Sequence, residues 1–134
     1  MEQTTLEERL REMEARAAGA AGESRAPSQV IRARLSAMRS VEPDVELVYT
    51  IADPWTRRLF VALCRRYGLR PYRRPRQRRT TVQIAAPKTF VDELLWPQFE
   101  ALAQELIAHL TEVTERVLGQ VVCDDASEVE EVGT

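Results

Sequence analysis

Apolar residues recur along this chain first at helical spacing, then in alternation, then at helical spacing again, and the change of period outlines the fold. Leu6, Leu10, Met13 and Ala17 share one helical face between Thr5 and Ala21, with Thr5 and Glu8 at capping-box spacing, so the opening segment is predicted as an amphipathic helix with a narrow apolar stripe. Gly19, Gly22, Ser24 and Pro27 interrupt it, which predicts a mobile linker over residues 22–28. Ser28 then stands where it would cap a short helix through Val30, Ile31, Leu35 and Met38. From Val45 the period becomes two, because Val45, Leu47, Tyr49 and Ile51 alternate with Glu46, Val48 and Thr50, the pattern of a strand with one face on a core. Asp53 and Pro54 form a helix start, the carboxylate serving a free first-turn amide and the ring supplying the helical φ; Gly68 ends that helix.

Leu69 to Arg74 and Thr80 to Ala86 read as two further strands, joined through Pro75, Arg76, Gln77 and Arg78 in an antiparallel hairpin. After Pro87, Thr89 is positioned to cap a short helix, and Pro97 marks a kink or a restart with proline in the first turn. A long helix follows to about Val122. Its stripe runs Phe99, Ala103, Leu106, Leu110, Val113 and Val117, widened by Leu102, Ile107, Leu118 and Val121. The expected fold class is α+β: a small three-stranded sheet in a β-α-β-β-α core, covered by helices on one face. An N-terminal helical arm and linker are assigned to residues 1–26, a single domain to 27–122, and a disordered acidic tail to 123–134.

Composition adds little to that outline, whereas the placement of charge adds a great deal. A hydrophobic share of 44% and a charged share of 30% fit a folded globular chain. The formal net charge of -2 hides a division. No acid occurs from Pro54 to Val91, and that window holds ten arginines and Lys88, a charge of +11, so the remainder carries -2 minus 11, or -13. Arginine outnumbers lysine eighteen to one, a bias that fits either phosphate recognition or a genome rich in G and C.

On the helix from Pro54 to Tyr67, about 100° per residue puts Leu59, Phe60, Leu63, Cys64 and Tyr67 on one arc and Arg57, Arg58, Arg65 and Arg66 on the other. The predicted hairpin adds Arg70, Arg73, Arg74, Arg76, Arg78 and Arg79, with Tyr72 among them as a side chain able to stack on a base. These residues are the candidate surface for nucleic acid or another anion. The alternative is that the arginines pair with acids of the termini or the long helix, within one chain or between chains. A lipid headgroup or small anion is a further possibility.

No recognised nucleic-acid motif sharpens that choice: there is no GxxG between helices, no ribonucleoprotein aromatic pattern and no zinc-finger spacing. The order of elements resembles that of small α+β RNA-binding modules, a likeness of topology that does not fix function. His109 is the sole histidine, so a single chain holds no multi-histidine metal site or triad needing two. Cys64 lies on the apolar arc, as a core cysteine does, while Cys123 sits beside Asp124 and Asp125. Asp92 and Glu93 point about 100° apart on a helix and do not converge. Trp55 and Trp96, each next to a proline at a helix boundary, are expected to close the ends of a small core. No catalytic group, metal or cofactor is implied.

The expectation is a cytoplasmic binding protein, non-enzymatic, that offers its arginine-rich helix and hairpin to an acidic partner, nucleic acid being the most specific candidate. The rival is a structural or adaptor protein that forms a homodimer, or binds another protein, through Phe99, Leu102, Leu106, Leu110, Val113 and Val117 of the long helix. Neither a signal peptide nor a spanning segment is evident in the pattern.

Overall fold

A computed structural model describes residues 2–19 and 25–133. Helix α1 (Glu2–Ala18) and α2 (Pro27–Arg39) precede strand β1 (Val45–Thr50), α3 (Pro54–Arg66) and strand β2 (Thr81–Ala86). A short α4 (Lys88–Phe90), a π-helical turn (Val91–Leu95) and the long α5 (Trp96–Val121) complete the chain of elements. Because α1 begins at Glu2, Thr5 and Glu8 lie inside the helix rather than at its cap. Residues 22–24 of the expected linker, and Ala21 at the expected helix end, lie outside the described residues. Ser28 does not cap α2 either: Ala26 is its N-cap and Pro27 occupies the first turn.

The ends of α3 follow the sequence closely. Asp53 accepts a 2.8 Å hydrogen bond from the Thr56 amide, and Pro54 opens the first turn. At the other end Gly68 has φ +86°, the Leu69 amide donates to the Cys64 carbonyl at 2.9 Å, and the Gly68 amide donates to the Arg65 carbonyl at 3.1 Å. That pair of bonds is a Schellman motif, and it folds Leu69 back into the core.

The sheet has two antiparallel strands, not three. Leu47 pairs with Ile84 and Tyr49 with Val82, so the inner face presents Leu47, Tyr49, Val82, Ile84 and Ala86 to the helices. Of the predicted Leu69–Arg74 strand only Tyr72 pairs, exchanging two 2.9 Å backbone hydrogen bonds with Gln83. An antiparallel ladder would next use the Arg74 amide. That amide instead donates to the Gln77 side chain at 2.8 Å, and Pro71 and Pro75 supply no N–H at all.

The junction before α5 rests on a distant residue. The Glu42 carboxylate accepts from the Thr89 amide at 3.0 Å and from the Thr89 hydroxyl at 2.6 Å, which caps the helix from outside and holds the Glu42 carboxyl below its usual pKa. Thr89 is therefore the capped residue, and Pro87 is the N-cap. The π turn then takes up one extra residue, so that Pro97, which has no amide proton, falls in the first turn of α5.

Phe60, Tyr67, Phe90, Ile31, Ile84 and Leu95 are fully buried at the centre. Tyr49 stacks on Trp96 with ring centroids 5.0 Å apart, and Phe60 packs edge-on against Phe99 at 5.1 Å. Trp96 thus closes the core as expected. Trp55 does not: it is 52% exposed. Phe99 and Leu102, expected at an oligomer interface, are buried in the protein's own core, because the first turns of α5 lie against α3. Beyond Val121 the chain makes a turn at Val122 and then no helix or strand up to residue 133, and all of it is exposed.

Helix α1 is joined to this core by a buried carboxylate. Glu14, 2% exposed, accepts from Arg66 Nε at 2.5 Å and from Arg66 Nη2 at 2.8 Å, and its Oε2 lies 2.8 Å from the Tyr67 hydroxyl. The phenol oxygen also lies 2.5 Å from the side-chain amide of Gln98 on α5. A phenol has one proton, and the charged Glu14 is the stronger acceptor, so the Gln98 amide is best satisfied with its NH2 turned toward the phenol oxygen. Burial and the neighbouring carboxylate push the Tyr67 phenol far above its ordinary pKa, which keeps it a donor. Removing either partner of the ion pair therefore has unequal effects. Glu14→Gln is expected to lower stability by about 1–2 kcal/mol, and Arg66→Gln by about 3 kcal/mol because it strands a buried carboxylate. Urea unfolding midpoints at unchanged slope measure both, and equal losses would contradict this account.

Candidate nucleic-acid interface

Helix α3 carries Arg57, Val61 and Arg65 at steps of four, with Arg58 and Ala62 beside them. This stripe faces the irregular segment from Pro71 to Arg73 and the open edge of β2. Between them run two adjoining hollows of about 310 and 170 Å³, which share Val61, Arg65, Arg73 and Val82 in their walls. Arg57, Arg58 and Ala62 complete the larger, and Pro71, Tyr72 and Thr81 the smaller. The result is one groove with Val61, Ala62 and Val82 set among four guanidinium groups, and no acid lines it.

Two of these arginines are fixed by their own chain. Arg57 donates to the Ile51 and Ala52 carbonyls at 2.9 and 3.2 Å, and Arg73 donates to the Thr81 and Arg79 carbonyls at 3.0 and 2.7 Å. A guanidinium has five N–H groups, so each keeps donors for a ligand while its position is set in advance. Arg58 lies over the Trp55 ring, 5.5 Å from its centroid. Arg65 makes no side-chain hydrogen bond or ion pair with any described residue, and the same holds for Arg70, Arg76, Arg78 and Arg79.

The segment that walls the groove is held by side chains the sequence did not single out. The Gln77 amide group donates to the buried Gln83 at 2.7 Å, while the Gln77 oxygen accepts from Arg74 N. Arg74, Pro75, Arg76 and Gln77 form a turn closed by a 3.2 Å bond from the Gln77 amide to the Arg74 carbonyl. Arg76 takes the third position with φ +73°, where glycine or asparagine is usual, a backbone cost on the order of 1 kcal/mol.

The other candidate arginines are placed elsewhere. Arg66 is committed to Glu14, about 100° round α3 from Arg65. Arg74 pairs with Glu46 of β1, and the Tyr72 hydroxyl donates to the same carboxylate at 2.5 Å, with the Arg74 guanidinium 5.5 Å from the Tyr72 ring centroid. Those contacts hold the Glu46 carboxyl below its ordinary pKa and lay Tyr72 across the outer face of the sheet. The helix and the hairpin segment thus converge through Arg57, Arg58, Arg65 and Arg73, while Arg66, Arg74 and the Tyr72 hydroxyl serve the fold.

Charge pairing inside the chain takes up only part of the basic window. Among the described residues, three of its eleven cations form ion pairs: Arg66 with Glu14, Arg74 with Glu46, and Lys88 with Asp92. No acid of α5 or of the exposed tail pairs with the window.

Other chemistry-bearing residues lie away from the groove. Cys64 is fully buried, and burial pushes its thiol up to about 12, so it is not a thiolate at neutral pH. His109 borders a separate hollow of about 380 Å³ between the start of α1 and α5, with Glu105 and Glu112. No cluster of three or more metal-ligating side chains occurs among the described residues, and none of their helices is long and apolar enough to cross a membrane. No protein-family model matches this chain, and no curated protein or solved structure is significantly similar to it.

Proposed function

We propose that this protein is a non-enzymatic nucleic-acid-binding protein whose interface is the groove between α3 and the Pro71–Arg73 segment. The observation that carries the reading is the convergence of Arg57, Arg58, Arg65 and Arg73 on an acid-free groove, with Arg70, Arg76, Arg78 and Arg79 unpaired on the segment beside it. Phosphates neutralised by such groups release condensed counterions, and affinity then falls as salt rises. Arg57 and Arg73 are already anchored, so little side-chain entropy is lost when a phosphate is taken up. Planar guanidinium groups, rather than ammonium groups, suit bidentate contact with phosphate oxygens.

Adjacent arginines of α3 provide the test, because the two have opposite assignments. Arg65→Gln is expected to leave the unfolding midpoint unchanged, weaken binding to labelled oligonucleotides, and reduce the slope of log affinity against log salt by about 1. Arg66→Gln, measured under conditions where it stays folded, is expected to leave affinity within about twofold while losing stability, since its phosphate contact is absent in the wild type. Loss of affinity in Arg66→Gln with none in Arg65→Gln would refute the assignment.

A second reading, association with protein through α5, is favoured by the exposed apolar stripe of its distal half. Leu106, Leu110 and Val113 are half-buried, whereas Val117 is 49% and Val121 75% exposed. From Ala103 to Val121 the helix runs about 28 Å past its last fully buried position. A self-complementary stripe of this kind makes the protein a dimer at micromolar concentration by light scattering, and Val117→Glu returns it to the monomer mass. A monomer at all concentrations removes self-association.

A further inference from the structure

We infer that the groove takes a single strand rather than a duplex, with Trp55 as the platform on which a base stacks. The inference rests on the nucleic-acid reading above and concerns which form of nucleic acid the site accepts. Trp55 sits in the first turn of α3, one turn before Arg58, and keeps 52% of its surface exposed although the core next to it is rich in aromatic residues. Its partner is the Arg58 guanidinium, 5.5 Å from the ring centroid, and Arg58 itself lines the groove. An exposed indole beside a line of guanidinium groups is the arrangement by which single strands are held: phosphates on the cations, a base on the ring.

The shape of the groove points the same way. A duplex major groove, about 12 Å wide, admits one helix of about 10–12 Å diameter. The arginine-bearing face of α3 is walled by Pro71, Tyr72 and Arg73, so α3 cannot enter a duplex without that wall entering too. Val61, Ala62 and Val82 supply apolar surface between the arginines. Phosphates alone have no use for these apolar side chains, whereas the sugars and base faces of an unpaired strand do. Arg57 and Arg65, eight residues apart on α3, span about 12 Å, a distance that follows a backbone along the groove.

The test compares end-labelled 12-mers of single-stranded DNA, single-stranded RNA and the corresponding duplexes against wild type, Trp55→Ala and Trp55→Phe at fixed salt. Wild type is expected to bind strands more tightly than duplexes. Trp55→Ala is expected to weaken strand binding roughly 5- to 150-fold, with Trp55→Phe restoring most of it and duplex binding unchanged. Circular dichroism melts of the variants should match wild type, since an exposed side chain is being changed. Unaltered strand binding in Trp55→Ala, or tighter binding of duplex than of strand by wild type, overturns the inference while leaving the nucleic-acid reading in place. No binding of any oligonucleotide by wild type at low salt removes both.

Discussion

A single buried carboxylate organises this molecule. Glu14 lies on α1 but is covered by the core, and an ionised group in that position must be met by donors. Arg66 and Tyr67, consecutive at the end of α3, both reach it, and Gln98 of α5 lies against the same phenol. The network joins three helices and, together with the burial of Phe60, Leu63 and Cys64, sets the rotation of α3 about its axis. Once Arg66 is turned toward α1, helical geometry puts Arg57, Arg58 and Arg65 on a different side, where the Pro71–Arg73 segment faces them. The buried face of α3 and its ion pair thereby divide the arginines of one helix into a structural one and three that line the groove.

The wall of that groove depends on a sheet edge that was not completed. Tyr72 makes one pair with Gln83, and then Gln77 captures the Arg74 amide and stops the ladder. The irregular segment brings Arg73 inward to Arg65 and sends Arg74 outward to Glu46.

Much of this was legible in the sequence, and the parts that were not have physical causes. The two ends of α3 depend on local chemistry, Asp53 with Pro54 and Gly68 with its positive φ, and local chemistry is what sequence patterns record. Strand β1 follows its alternation, and Pro97 lies in the first turn of α5, one of the two placements its missing amide proton allows. The expected strand over Leu69–Arg74 stops at Tyr72 because the Gln77 side chain competes for the Arg74 amide, a contact that a strand pattern does not record. The cap of Thr89 escaped notice because its acceptor, Glu42, is 47 positions away. The stripe of α5 was correctly seen as apolar, yet periodicity does not separate Phe99 and Leu102, which face the protein's own core, from Val117, which faces solvent. Trp55 and Trp96 have the same local signature beside a proline, and only packing distinguishes the exposed ring from the stacked one. The acid-free window read as one basic surface. Folding divided it by which carboxylates came within reach.

The claim at the centre of this account is that the groove arginines, and not the structural ones, meet the ligand. Side-chain Nε–H resonances of arginine report that directly when labelled protein is titrated with a single-stranded 12-mer. The account predicts shifts at Arg57, Arg58, Arg65 and Arg73, with Arg66 remaining where its bond to Glu14 holds it. Shifts confined to Arg66 and Arg74, or to residues of α5, would contradict it.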